Sequence, residues 1–297
     1  MPLQVSLIPI ALILLFCAVI GIIGNVIMVI CVINTRKFRN PCHVLISITC
    51  LADGLHLSGQ LPFCAHFFGS LTSTQSQCYF MLIGPIIEFT SSGPLCLAMG
   101  LDRLIAVKYP SRYRFYHNNP IFYIIAQLIF PIIYCSIFLV LGYKMRDDNE
   151  IVVCANPVAL GGSSFEIFTY SNLLIDCLIM LIYLVVYLLL RDNKTSKSFK
   201  SIFRCIAITV LIVLFGWFFT TITNTLSYHI SNDLSTIVLI QMYAGATVNI
   251  AAASNIFVFY LINNEYRVAI KNFLGIQKMT VASARDMAIA PKTMITL

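Results

Sequence analysis

The sequence predicts an all-α membrane protein: a seven-transmembrane helix bundle with the N-terminus outside, the C-terminus cytosolic and a short amphipathic helix after helix seven. Three observations carry this expectation. The 297-residue chain is 59% hydrophobic and 10% charged, whereas a soluble domain carries about 25% charged residues. Seven apolar stretches, each long enough for the roughly 20 residues that cross a bilayer as a helix, follow one another with short polar connections. Of the 19 Lys and Arg, only Lys144 and Arg146 fall on the outer side that these stretches define.

The stretches run over approximately 7–33, 43–65, 78–107, 119–142, 165–190, 202–228 and 235–262, with a juxtamembrane helix over 264–274 and a flexible tail over 275–297. No repeat or second domain interrupts them, so 1–297 reads as a single domain. The first stretch is too long for a signal-peptide core and has no basic residue before it, and so is expected to insert as a helix with its N-terminus out. The basic residues then group on the inner side: Arg36, Lys37 and Arg39; Arg103, Lys108, Arg112 and Arg114; Arg191, Lys194, Lys197, Lys200 and Arg204; and Arg267, Lys271, Lys278, Arg285 and Lys292. Basic loops resist translocation and stay cytosolic. The same grouping accounts for the net charge of +7 without nucleic acid, because the positive face meets anionic lipid and cytosolic partners.

Spacing adds what hydropathy lacks. Cys78 opens the third stretch, and Arg103 follows 25 residues later in Gly100-Leu101-Asp102-Arg103-Leu104. At 1.5 Å per residue this is about 37 Å, one membrane crossing, so Asp102-Arg103 belongs at the inner surface. Helix one carries Gly24-Asn25, helix two Leu51-Ala52-Asp53, and helix six Phe215-Gly216-Trp217-Phe218. Helix seven ends Asn255-Ile256-Phe257-Val258-Phe259-Tyr260, followed by Glu265-Tyr266-Arg267.

With these landmarks in order, the chain resembles the rhodopsin-like (class A) G protein-coupled receptors over roughly residues 20–270. The Leu after Asp-Arg, the missing prolines and the Asn-Ile-Phe-Val-Phe-Tyr ending look like the nematode serpentine chemoreceptors, Srsx class. The resemblance implies a receptor that binds a small extracellular molecule within the bundle and activates a heterotrimeric G protein at its cytosolic face. It places the chain in the plasma membrane, in sensory cilia if chemosensory. A neuropeptide or neurotransmitter receptor is the alternative within the superfamily, and a membrane transporter the alternative outside it. The absence of a repeat, the odd number of helices and the ordered landmarks argue against a transporter. The five histidines form no metal or hydrolase constellation, so an enzyme is not expected.

The residue roles are likewise those the resemblance implies. Asp102, Arg103, Asn255, Phe259 and Tyr260 fall in the G protein-coupling region. The pocket between the outer halves of helices three, five, six and seven offers Pro85, Glu88, Asp176, Trp217, Gln241 and Tyr243. Pro85 stands where amine receptors of the family place an aspartate, which disfavours a biogenic amine; Asn249 stands at the opsin retinal lysine. Glu88 and Asp176 read as unpaired acids that either bind a cationic ligand group or stay protonated and hydrogen-bonded. Asn25, Asp53, Ser92 and Asn255 form a polar core, either a structural network or a cavity in which relatives hold a sodium ion. Ala251 and Ala252 replace the further polar ligands usual there. No other cofactor or metal is expected.

Cys78 and Cys154 are the cysteine pair placed for an outer disulfide. Phe199 stands where many relatives hold the arginine with a glutamate, so the resting latch on Arg103 lacks that carboxylate and raised basal signalling is expected. Phe259 lacks a tyrosine hydroxyl that relatives place there, and Tyr260 points about 100° around the helix. Helices five, six and seven lack proline; Gly216 either hinges helix six or lets it pack closely. Tyr266, Ile270, Phe273 and Leu274 share one face of the juxtamembrane helix, which suits the inner leaflet.

Overall fold

The computed structural model describes residues 2–118, 120–192, 197–231 and 233–276. The sequence's tail beyond residue 276 and the loop over 193–196 lie outside the described residues. The α-helices are α1 (Pro2–Asn34), α2 (Pro41–Ser58), α3 (Gln60–Gly69), α4 (Gln75–Met81), α5 (Ile83–Lys108), α6 (Pro110–Asn118), α7 (Pro120–Lys144), α8 (Asn156–Leu160), α9 (Gly162–Asp192), α10 (Lys197–Ile230), α11 (Leu234–Ala253), α12 (Asn255–Ile262) and α13 (Asn264–Phe273). Five helical segments are long and apolar enough to cross a membrane without a sharp bend. Two bent pairs, α4 with α5 and α11 with α12, bring the spans to seven. The second span is α2 with α3, and the fourth, fifth and sixth are α7, α9 and α10.

The bundle is apolar outside as well as inside. On α7, Phe122 is 78% exposed, and Ile121, Ile125, Ile129, Ile132 and Ile133 are exposed beside it. An unbroken apolar face of this kind suits hydrocarbon and not water. The interior is organised around α5, which packs against α2, α7 and α9 and is buried over most of its length from Pro85 to Arg103.

Three spans are broken, and each break has a local cause. The expected helix over 78–107 is two helices meeting at Leu82 with a 73° bend. Pro85 supplies no amide to continue the ladder and its ring opposes the Met81 carbonyl four residues back, so α5 starts afresh with proline in its first turn. Thr74 and Gln77 form a reciprocal capping box that starts α4 earlier than Cys78. The second span extends from 41 to 69 and breaks at Gly59, where a Cβ would lie 2.3 Å from Asn156 Oδ1 and 2.9 Å from Pro85 Cβ. The glycine thus lets α8 and the start of α5 touch the backbone.

The seventh span bends by 45° at Ser254 without a proline. Asn25 of α1 donates to the Ala252 carbonyl at 3.0 Å, and Ser254 N and Oγ both turn to Ala251 O at 3.0 and 2.7 Å. Side chains inserted into the ladder make the bend. Gly21 and Gly24 let α1 come this close: Cβ atoms there would lie 2.3 Å from Leu57 Cδ1 and 2.7 Å from Ile256 Cγ2.

Between spans two to five, β1 (Ser73–Thr74) pairs antiparallel with β2 (Ile151–Val152), Ser73 opposite Val152. Cys78 and Cys154 beside this ribbon are disulfide-bonded, with Cα atoms 5.3 Å apart. The bridge closes a loop with a sequence separation of 76 residues. In the chain-entropy argument a loop of this size is worth ~4.5 kcal/mol. Cys78→Ser is therefore expected to lower the thermal unfolding midpoint of the purified protein strongly, and dithiothreitol to lower the wild type but not the variant.

Candidate ligand cavity and inner coupling site

The polar core is assembled by close helix approach. Asn255, first residue of α12, donates through Nδ2 to Asn25 Oδ1 at 2.9 Å and to Asp53 Oδ2 at 2.5 Å. One amide thus ties spans one, two and seven, and all three side chains are buried. Ser92 is buried on α5. Trp217 packs instead on Phe89 and Phe168, with ring centroids 5.1 and 6.1 Å away.

Glu88 is not the unpaired acid expected. His56 Nδ1 lies 2.7 Å from its Oε2, with both side chains about 5% exposed. The atoms are at ion-pair distance but out of line for a hydrogen bond. His56, Glu88 and Asp53 interact electrostatically as one cluster between the second and third spans. The missed signal was pairwise: two ionisable residues at similar depth in adjacent spans seldom stay apart in hydrocarbon.

A cavity of about 110 Å³ lies between α9 and α10. Its wall holds the rings of Phe165, Phe168, Trp217 and Phe218, the Asn172 amide, the Asp176 carboxylate and threonine hydroxyls. Of the predicted pocket residues, Asp176 and Trp217 line it and the other four lie elsewhere. Pro85 packs against Gly59, Glu88 pairs with His56, and Gln241 donates to Ser227 Oγ at 3.1 Å. Tyr243 is exposed and donates to the Ser6 carbonyl at 3.1 Å. A sequence places Pro85 and Glu88 in the right span but not on a face, and the bend at Leu82 turns both toward the second span.

Gly216, beside Trp217, sits at a tight contact: a Cβ there would lie 3.1 Å from the Thr247 carbonyl oxygen, and Thr247 Oγ1 donates to Gly216 O at 3.1 Å. This is the close-packing role. The sixth span runs unbroken as α10 across it.

The C-terminal end of α5 carries the second site. Arg103 pairs with Asp102 through Nε at 2.8 Å and through a guanidinium nitrogen to the same oxygen. Asp102 is 1% exposed and Arg103 3%. Such burial needs extra partners, and two tyrosines supply them. Tyr113 on α6 accepts from the guanidinium at 3.0 Å, and Tyr123 on α7 donates to Asp102 Oδ1 at 3.1 Å. Burial pushes the Tyr113 phenol well up from its ordinary value, keeping that hydroxyl neutral. The pair is therefore held by α6 at Arg103 and by α7 at Asp102. The Phe199 side chain, at the sequence-predicted latch position, lies outside the described residues.

Phe259 is buried with its ring 4.8 Å from that of Tyr266, and Tyr260 offers its carbonyl to Arg267 Nε at 2.8 Å. Tyr266 of α13 stacks on Phe38 at 4.5 Å, and its hydroxyl reaches His43 Nδ1 at 2.7 Å. Asn263 caps α13 by accepting from the amides of Glu265 and Tyr266. Tyr266 and Ile270 face the bundle, while Phe273 and Leu274 are exposed.

Seven spans, an Asp-Arg pair at the C-terminal end of the third and a disulfide at its other end accord with a serpentine receptor. The sequence profile described as "Serpentine type 7TM GPCR chemoreceptor Srsx" matches residues 18–274, and the chain belongs to this family of G protein-coupled receptors, not of enzymes. The chain is 23% identical over 133 residues to "Olfactory receptor 52Z1P" of Homo sapiens, covering 44% of this chain and 45% of that one. It is 26% identical over 192 residues to "Dopamine D2-like receptor" of Drosophila melanogaster, covering 63% of this chain and 21% of that one. The matches thus span less than half the length of either curated relative.

Removing one partner of a buried pair strands the other, at about 3–5 kcal/mol, whereas replacing both is far milder. His56→Leu and Glu88→Leu are each expected to lower the unfolding midpoint in detergent more than the double variant does. A double variant at least as unstable as the worse single one would show that the two residues act independently.

Proposed function

We propose that the protein is a chemosensory receptor that binds a small extracellular molecule between the fifth and sixth spans and activates a heterotrimeric G protein at its inner end. The observation that carries this is that α5 adjoins both sites. Phe89 of α5 touches the cavity residues Phe165, Phe168 and Trp217. Arg103 lies 14 residues further along, about 21 Å on an α-helix. A ligand that shifts the cavity aromatics can therefore bias the tyrosine-held arginine. Family membership and the olfactory relative favour the chemosensory reading. The dopamine-type relative favours a neurotransmitter receptor as the second reading.

The proposed orientation is N-terminus out in the plasma membrane, sensory cilia being the site in a chemosensory neuron. The basic residues grouped at Asp102-Arg103's end and the disulfide at the opposite end support it, since disulfides persist in oxidising compartments. A sodium ion beside Asp53 remains part of the proposal, with Asn255 and Ser92 as neighbouring ligands. The meagre outer segments favour a small molecule over a protein ligand.

Screening a ligand panel with a G protein-dissociation sensor tests the coupling. An active ligand is expected, and Arg103→Ala at equal surface expression is expected to alter its response. Ligand-driven uptake into vesicles without G protein would instead favour a transporter. Loss of one tyrosine contact to the pair is worth about 1 kcal/mol, roughly a fivefold shift in a two-state equilibrium. Tyr113→Phe or Tyr123→Phe is thus expected to raise basal nucleotide exchange several-fold, and unchanged exchange would remove the tyrosines from the resting lock.

A further inference from the structure

The cavity between α9 and α10 combines features that define a ligand chemistry. Asp176 lies about halfway along α9 and is 4% exposed, a carboxyl group deep in the bundle. No residue lining the cavity carries a positive charge. Four of the lining residues are aromatic, Phe165, Phe168, Trp217 and Phe218, and Phe89 packs edge-on against Trp217. Ring faces attract cations and gain strength away from water.

The carboxylate is also held in place. Asn172, one turn earlier on α9, donates through Nδ2 to Asp176 Oδ2 at 3.1 Å. Asn172 in turn is fixed by a notch in α5: a Cβ on Gly93 would lie 2.5 Å from Asn172 Oδ1. The missing side chain of Gly93 is thus filled by the amide, and the amide orients the acid. Thr169, Thr220 and Thr221 complete the lining, and the Thr169 and Thr220 hydroxyls donate to the Phe165 and Ala244 carbonyls. An acid positioned this way, against rings and with no cation of its own, is complementary to a positive group brought in from outside. The volume of about 110 Å³ limits that ligand to a few non-hydrogen atoms.

Resting on the receptor reading above, we propose that the ligand is a small organic amine, its ammonium paired with Asp176 and its apolar part against Phe165, Phe168 and Trp217. The amine recognition disfavoured by Pro85 in the third span is provided by the fifth span instead.

Three probes of nearly equal shape separate charge from fit: isopentylamine, isopentanol and isopentanoate. Their effect on the unfolding midpoint of the purified full-length receptor in nanodiscs at neutral pH is measured for the wild type, Asp176→Asn and Gly93→Ala. The amine alone is expected to raise the wild-type midpoint, with Asp176→Asn losing about tenfold or more in apparent affinity. Gly93→Ala, which displaces Asn172, is expected to weaken the amine and leave the carboxylate intact. Equal shifts with the alcohol, or no shift with any probe, would overturn the amine site, as would an amine response retained in Asp176→Asn. Nucleotide exchange on added G protein is read separately. Amine binding without exchange keeps the amine site and sinks the coupling, whereas exchange driven by the alcohol keeps the coupling and sinks the amine.

Discussion

The architecture depends on one amide. Asn255 bridges Asn25 and Asp53, so a single side chain joins the first, second and seventh spans inside a medium that offers no water to polar groups. The bridge forms because Gly21 and Gly24 remove the side chains that would hold α1 away from α11 and α12. Once α1 is that close, Asn25 also takes the Ala252 carbonyl out of the helical ladder, and the seventh span bends there. Beyond the bend, Phe259 of α12 meets Tyr266, and α13 is anchored against Phe38 and His43.

The third span has the complementary task. It is the buried axis of the bundle, and its two charged sites are both neutralised by neighbours. Glu88 finds His56 on the second span, and Asp102-Arg103 finds two tyrosine hydroxyls on α6 and α7. Among the described contacts, α6 reaches the arginine through Tyr113 and α7 reaches the aspartate through Tyr123. Gly216 contributes close packing of α10 on α11, and the sixth span is one continuous helix against the seventh.

The helical spans and their order were legible because the bilayer imposes length and apolarity on each span separately, a property of local sequence. The tying residues Asn25, Asp53, Asn255, Asp102 and Arg103 were legible because polar groups in apolar spans stand out. Less was legible of the pocket. Pro85 announced a break, yet only the 73° bend at Leu82 shows which way Glu88 turns. The helix over Pro110–Asn118 and the β1–β2 ribbon also went unread, since both are short polar segments that gain their order from the bundle beneath them.

By itself the sequence determined the membrane class, the spans, the disulfide partners and the charged pair at the end of α5, because each follows from composition or spacing along one chain. Only the tertiary structure decided which charges meet, that His56 serves Glu88, that Tyr113 and Tyr123 hold Asp102-Arg103, and that Asp176 faces an aromatic cavity. The physical reason is that pairing depends on the rotation and approach of neighbouring helices. Those are set by notches such as Gly24, Gly59 and Gly93, whose effect lies in what another span places against them.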